Sequence, residues 1–179
     1  MAIENWVRKA GTTYEYSNTG NPILLGVIPL VEVYKTDPTL AYDDNPNWSS
    51  VYGGGRQSNS TSFQANFTSP ITLSRLGASF TVWLAGGGPT GGYTIEYFNG
   101  TWHYQVNSNT GIGNYTPPNL TLTSLDYTDL NIPNVTKVKA TAFHTTEIIC
   151  VSVIGELWAY GEGGKGPFPV HFNEAGLPT

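Results

Sequence analysis

Short runs of aromatic and β-branched residues, separated by clusters of glycine, proline, asparagine and aspartate, recur along the sequence. No segment carries the 3.6-residue apolar repeat of an amphipathic helix, whereas many short runs suit buried or half-buried strands. Many short strands at this spacing predict an all-β fold, an antiparallel β-sandwich of jelly-roll type. We expect strands near residues 12–17, 23–34, 60–67, 71–76, 79–84, 93–98, 101–106, 120–125, 135–143, 147–153 and 156–160.

The sandwich is expected to occupy residues 1–160 as one domain. Residues 161–179 are rich in glycine and proline, so we expect a linker or arm that leads to a further module. The longest apolar stretch, residues 23–33, is interrupted by Gly26 and Pro29 and is too short to span a bilayer. The first six residues have neither a basic start nor an apolar centre, so no signal peptide is expected.

The clearest local prediction is a β-hairpin in YTIEYFNGTWHYQV, residues 93–106. Asn99-Gly100 tolerates positive φ at both positions of a two-residue turn, so the strands are expected to pair directly on either side of it. Asn99 also begins an Asn-Gly-Thr glycosylation sequon, which would place a sugar at the most exposed point of the hairpin.

Two later segments indicate how the core is packed. Residues 135–143 alternate, which predicts one packed face and one wet face. The segment IICVSVIGELW is almost wholly apolar until Glu156, as in a central strand, and Gly155 is expected to turn a corner. The alternation places Val138, Ala140 and Ala142 on the packed face and Lys137, Lys139 and Thr141 on the wet face.

Charge argues against a nucleic-acid partner. Only 12% of the residues are charged, the net charge is -5 and the pI is about 5.0. Phosphate binding relies on clustered lysine and arginine, and the eight basic residues here are scattered. An aromatic content of 13% still supplies enough apolar area for a packed core. The chain is therefore expected to be folded, with a surface of hydroxyl and amide groups.

No motif for catalysis, metal binding or a cofactor is present. Cys150 lies in an apolar run, where a buried small side chain is expected. Asp43-Asp44 with Asn45 and Asn47 could bind calcium, but an Asp-Asp-Asn-Pro turn explains these residues equally well and is preferred. The three histidines, His103, His144 and His171, lack metal-ligand spacing. No two glutamates are singled out as a catalytic pair among Glu15, Glu32, Glu96, Glu147, Glu156 and Glu162.

Acceptor sequons for N-glycosylation are the most frequent motif. They either reflect the crowding of asparagine and threonine in turns, or mark a surface that carries several glycans. Most fall at predicted turns or strand ends, and Asn66 is the exception because it ends an alternating strand. The seven candidate sites are Asn47, Asn59, Asn66, Asn99, Asn114, Asn119 and Asn134.

Aromatic side chains around the predicted hairpin are the better lead for binding. A sugar ring could stack on those that are exposed, whereas strand alternation would send about half of them into the core. Trp48, Trp83 and Trp158 could extend such a platform. The candidate glycan-stacking residues are Tyr93, Tyr97, Trp102 and Tyr104, with Tyr115 in the following loop.

The ending VHFNEAGLPT, residues 170–179, resembles a strand of the type V-x-F-x-E-x-G-L-P in thermopsin-like proteases and surface-layer-associated proteins of thermoacidophilic archaea. This resemblance implies a source and a following β module. The segment LVEVYKTDPTLAYDD resembles the start of jelly-roll modules, and FNGTWHYQV with ICVSVIGELWAYG is similar to concanavalin-like and laminin-G-like sandwiches. The whole chain resembles jelly-roll turret, penton or capsid proteins of archaeal icosahedral viruses.

Three functional hypotheses follow. The leading one is a non-enzymatic, glycosylated structural subunit of an archaeal virion, in contact with other copies of itself and with neighbouring shell proteins, on a virion or extracellular surface. The alternative is a carbohydrate-binding module or adhesin that uses the aromatic hairpin. The third is a secreted enzyme, which would need two acidic residues facing each other across a cleft. No cofactor is expected for the first two.

Overall fold

The computed structural model describes residues 2–19, 37–46, 52–53, 60–84, 91–116, 119–144 and 150–163, which are almost entirely β-strand. Two 3-10 turns, Trp6–Arg8 and Pro38–Ala41, are the helical elements within these ranges. Neither of these two turns is long and apolar enough to cross a membrane. The strands are β1 (Glu4–Asn5), β2 (Thr13–Thr19), β3 (Tyr52–Gly53), β4 (Ser60–Leu84), β5 (Gly92–Phe98), β6 (Trp102–Ser108), β7 (Asn114–Thr116), β8 (Asn119–Thr121), β9 (Thr123–Tyr127), β10 (Ile132–Phe143) and β11 (Cys150–Gly163).

The 25-residue strand β4 belongs to both layers of an antiparallel sandwich. Its first part, residues 60–66, pairs with β2 on one side and β10 on the other, and β10 continues to β5 and β6. Its second part, residues 71–84, pairs with β11 and β9, and β11 also holds β1 and β3. We name these the front layer (β2-β4-β10-β5-β6) and the back layer (β9-β4-β11-β1/β3).

The core lies between the layers and follows the expected alternation. Val138, Ala140 and Ala142 of β10 are fully buried, whereas Lys137, Lys139 and Thr141 face outward, as predicted. Burial of each large apolar side chain stabilises the fold by about 1.5–3 kcal/mol. The largest fully buried side chains are Phe63, Phe80, Ile71, Leu73, Leu76, Ile95, Ile154, Leu157 and Val7. The predicted all-β sandwich is therefore confirmed.

Several predicted strand boundaries are wrong because bulges, rather than turns, interrupt the pairing. The three strands expected within residues 60–84 form the single strand β4. The register between β4 and β11 shifts at Ile154/Glu156, so the corner predicted at Gly155 is a β-bulge inside β11. Strand β11 continues to Gly163, past the expected domain edge. The predicted strand at residues 23–34 and the tail from residue 164 lie outside the described residues.

The predicted hairpin is present, but its turn is one residue longer than expected. Phe98 pairs with Trp102, and the amide N–H of Asn99 donates to the carbonyl oxygen of Thr101 at 3.2 Å. Only Gly100 has a positive φ, at 108°, which explains the need for glycine there. Because strand faces alternate, this one-residue change reverses the face on which every residue of β6 near the turn lies.

Candidate functional site

The outer face of the hairpin carries two exposed aromatic side chains. With the observed turn, Trp102 lies opposite Phe98, and Tyr104 lies opposite Glu96, so both point away from the core. Trp102 is 38% exposed and Tyr104 is 60% exposed. Phe98 contacts Trp102 edge-to-face, with ring centroids 5.4 Å apart. We call Phe98, Trp102 and Tyr104 the hairpin platform.

The other two candidate stacking residues lie on the opposite face. Tyr93 and Tyr97 are in register with Ala142 and Val138 of β10 and pack against the core. Tyr97 also stacks on His103, with ring centroids 5.1 Å apart. The structure thus brings Trp102 and Tyr104 together and separates them from Tyr93 and Tyr97. The side chain of Tyr115 and all of Trp48 lie outside the described residues, Trp83 is half-buried, and Trp158 lies in the back layer.

A row of polar side chains leads from the hairpin platform across the front layer. Glu15, Gln64, Lys139 and Glu96 are in register with Tyr104 on five adjacent strands. The Gln64 amide donates to Glu15 at 2.6 Å, and the Lys139 ammonium lies 3.4 Å from Glu96. The same Lys139 nitrogen lies 4.4 Å from the centroid of a Trp102 ring, so it holds that ring by a cation–π contact. The result is a row of hydrogen-bonding groups beside aromatic rings.

The candidate sequons occupy different environments. The Asn66 side-chain amide donates to Glu15 at 3.1 Å and is half-buried in the polar row. Asn99 lies in the hairpin turn, and both Asn114 and Asn134 are exposed. Asn119 lies in β8, and its side chain is outside the described residues, as are Asn47 and Asn59 entirely.

A groove of about 300 Å³ crosses the outer face of the back layer. The aromatic rings of Trp158 and Tyr160 form part of its wall, and the turn at residues 43–46 forms another part. That turn is closed by the Asp43 carboxylate, which accepts from the Asn45 amide at 3.0 Å, so the preferred turn is present. We call this feature the Trp158 groove; its lining residues are Asn5, Asp44, Pro46, Arg75, Ser124, Asp126, Glu156, Trp158 and Tyr160.

Three side chains in the Trp158 groove are linked by hydrogen bonds. Arg75 donates to both carboxylate oxygens of Asp126, at 2.8 and 2.9 Å, and the indole N–H of Trp158 donates to the same carboxylate at 3.0 Å. These contacts, the guanidinium first, lower the pKa of Asp126. The indole fits because Gly77 lies opposite Trp158 on β4, where a Cβ would overlap the ring. Close packing therefore fixes the indole and the paired charges together.

Glu156 is the least expected residue of the groove, because the sequence predicts that water reaches it. Its side chain is only 3% exposed, and one carboxyl oxygen accepts from the Asp44 amide at 3.1 Å. Burial, followed by the negative charges of Asp43 and Asp44 and a hydrogen bond with the Asp43 side chain, raises the pKa of Glu156 to about 8, so the group is protonated at neutral pH. Within the described residues, its Oε2 and the Oγ of the facing Ser79 have no hydrogen-bond partner.

Sequence reasoning missed the Trp158 groove for an identifiable reason. Arg75, Asp126 and Trp158 come from β4, β9 and β11 and are brought together only by strand register. A weak signal was present in ELWAY, where Glu156, Trp158 and Tyr160 alternate and so share one face. The apolar residues before Glu156 concealed that signal by suggesting a strand covered on both sides.

No family model matches the sequence, and no curated protein matches it. Solved structures match the fold. A CBM32 domain (a carbohydrate-binding module) produced by Clostridium perfringens is 19% identical, with a TM-score of 0.50, over 88% of this chain and 99% of that chain. A family 32 module from C. perfringens in complex with galactose has 16% identity and a TM-score of 0.46, covering 89% and 99%. A lectin-binding domain of lectinolysin complexed with Lewis b has 13% identity and a TM-score of 0.47, covering 89% and 97%.

Of these comparisons, the first, with a TM-score of 0.50, establishes the fold as a β-sandwich of the kind seen in CBM32 domains. This match contradicts the leading sequence hypothesis: the interpretation as a virion structural subunit is wrong, because the matching fold is that of a carbohydrate-binding module. The expected contacts with shell proteins and the virion location gain no support from it.

Proposed function

We propose that this protein is a non-catalytic carbohydrate-binding domain that binds an extracellular or cell-surface glycan through the hairpin platform. The observation that carries the proposal is the exposure of Trp102 and Tyr104 on one face of β6. A sugar ring has a face of C–H groups that stacks on the electron-rich face of an aromatic ring. Two such rings side by side suit neighbouring sugar units of a chain.

The polar row supplies the directional part of recognition. Sugar hydroxyls both donate and accept hydrogen bonds, and Glu15, Gln64 and Lys139 offer both kinds of group on the same face, where the buried Glu96 carboxylate is paired with Lys139. Their mutual contacts hold the side chains in place before a ligand arrives, which reduces the entropy lost on binding. The platform therefore combines stacking with fixed hydrogen-bonding groups.

The contacts of Asp126 argue against a hydrolase. A glycosidase needs one protonated carboxyl and one ionised carboxylate that is able to act as a base or nucleophile. Glu156 meets the first requirement, but both oxygens of Asp126 are engaged by Arg75, and one is also engaged by Trp158. A carboxylate held in this way, with a lowered pKa, is a poor base.

Binding to immobilised polysaccharides and to a glycan array tests the proposal. Truncation of an aromatic anchor costs more than about 1 kcal/mol, so the double variant W102A/Y104A is expected to bind at least about 30-fold more weakly. The matched control is Y16A, which removes a 56% exposed tyrosine from β2 at the opposite edge of the front layer and is expected to bind normally. Equal binding by the wild type and W102A/Y104A would refute the role of the platform.

A further inference from the structure

The Trp158 groove contains buried polar atoms whose hydrogen bonds are not completed by the described residues. Glu156, which lines the groove, has such an atom in Oε2, and Ser79, its register partner on β4 behind the lining residues, has another in Oγ. A buried polar group without a partner costs about 1–3 kcal/mol. Since Glu156 lines the groove, a ligand seated there lies beside this carboxyl group.

We propose that the Trp158 groove is a second binding site, separate from the hairpin platform, that takes a single neutral sugar unit. The two surfaces lie on the outward faces of different layers and have no lining residue in common. A volume of about 300 Å³ is at the lower end of the range for small-molecule sites, which limits the occupant to about one sugar ring.

Adjacent hydroxyls of a sugar match the paired side chains of the groove. Asp126 accepts hydrogen bonds and Arg75 donates them, and their bidentate contact fixes the two groups side by side. A vicinal diol can donate to the carboxylate with one hydroxyl and accept from the guanidinium with the other. The rings of Trp158 and Tyr160 supply an apolar wall for the C–H groups of the same sugar.

The charge of the groove favours a neutral ligand over an anionic one. Arg75 is balanced by Asp126, and Asp44 is paired with Arg8 at 2.9 Å. Glu156 is uncharged at neutral pH and therefore adds no negative charge to the groove. A sugar carboxylate would meet Asp44 and Asp126 without an unpaired cation among the lining residues to compensate.

The protonated carboxyl makes binding dependent on pH. The ionisable groups around Glu156 are Asp43 and Asp44 of the turn, Arg75 of β4, Asp126 of β9 and Tyr160 of β11. Deprotonation of Glu156 adds a negative charge beside Asp43 and Asp44, so sugar binding is expected to weaken about tenfold as the pH rises from 6 to above 9. Glu156→Gln stays uncharged at every pH and is expected to lose this dependence.

Nuclear magnetic resonance of the indole N–H groups separates the two proposals. The probes are D-galactose and D-glucose as neutral sugars and D-glucuronic acid as an anionic one, added to the whole ¹⁵N-labelled chain. W158F and W102F assign the resonances of the groove and of the hairpin platform. We expect a neutral sugar to shift the Trp158 resonance at pH 6, and S124Y, which places a ring in the groove at an exposed position, to abolish that shift.

Each outcome decides one of the proposals. A shift of Trp102 alone supports the platform and overturns the groove site, whereas a shift of Trp158 alone supports the groove and removes the platform. Failure of both neutral sugars to shift Trp158 with a dissociation constant below about 10 mM overturns the groove site. Binding of D-glucuronic acid as tight as that of D-glucose overturns the preference for a neutral ligand. A pH dependence that is unchanged in E156Q overturns the role of Glu156.

Discussion

Replacing Glu156 with glutamine should change how the stability of the fold depends on pH. In the folded state the pKa of Glu156 is about 8, whereas the reference value for the unfolded chain is 4.5. Between these values the folded protein keeps the proton and the unfolded chain has released it, so the unfolding free energy falls as the pH rises. Glutamine is uncharged throughout and should not contribute this fall.

The size of the effect follows from the width of that window. Each pH unit corresponds to about 1.4 kcal/mol, and the interval from 4.5 to about 8 sets an upper bound of roughly 5 kcal/mol. Counted only from pH 5 to pH 8, the interval gives roughly 3–4 kcal/mol. E156Q should therefore gain this much stability relative to wild type between pH 5 and pH 8, with no further change above that.

Urea denaturation at each pH from 5 to 9 measures this gain. The matched control is E162Q, which changes an exposed glutamate six positions later on the same strand and should track the wild type. If the difference between E156Q and wild type is the same at pH 5 and pH 8, Glu156 does not hold its proton in the folded state. Glu156 would then be ionised, not neutral, in the folded protein at neutral pH.

Three other outcomes can be measured. Gly77→Ala should destabilise the fold by about 1–3 kcal/mol, because its methyl group would overlap the Trp158 ring and lie 2.5 Å from the Leu125 carbonyl oxygen; an unchanged urea midpoint would contradict this. Asp126→Asn should lower the unfolding free energy by about 0.2–1 kcal/mol at pH 7. Because the folded pKa of Asp126 is lowered, this wild-type advantage should be present above pH 3.8 and disappear in stronger acid, which unfolding experiments at a series of acidic pH values will show. In a host that glycosylates sequons, glycopeptide mass spectrometry should find sugar on Asn134 but not on Asn66, whose amide is donated to Glu15; equal occupancy would contradict that distinction.

Local residue patterns were sufficient for the fold class but not for the strand boundaries. The alternation of residues 135–143 predicted both faces of β10 correctly, since one buried face leaves a clear period of two. Glycine and proline predict the ends of strands, although in β4 and β11 they lie within continuous strands. A bulge and a turn use the same residues, and only pairing with neighbouring strands distinguishes them.

The candidate sites depend on strand register, which local residue patterns do not determine. The aromatic content of the hairpin was visible, but the choice between a two- and a three-residue turn decided that Trp102 and Tyr104 face outward. Arg75 and Asp126 are far apart in the chain and meet because β9 pairs with β4 at Gly77. The protonation of Glu156 depends on its contact with the turn at residues 43–46, and a single sequence does not show that this turn packs against it.

Because β4 belongs to both layers, most of its pairing partners are synthesised only after β4 itself. Residues 60–84 leave the ribosome before β9, β10 and β11 exist, so β2 is their sole earlier partner among the described strands that pair with β4. Both edges of residues 71–84 then expose unpaired backbone groups until β9 and β11 follow. The longest described strand of the nascent chain therefore has unpaired edges while the later strands are synthesised. During this interval, self-association and chaperone binding compete with folding.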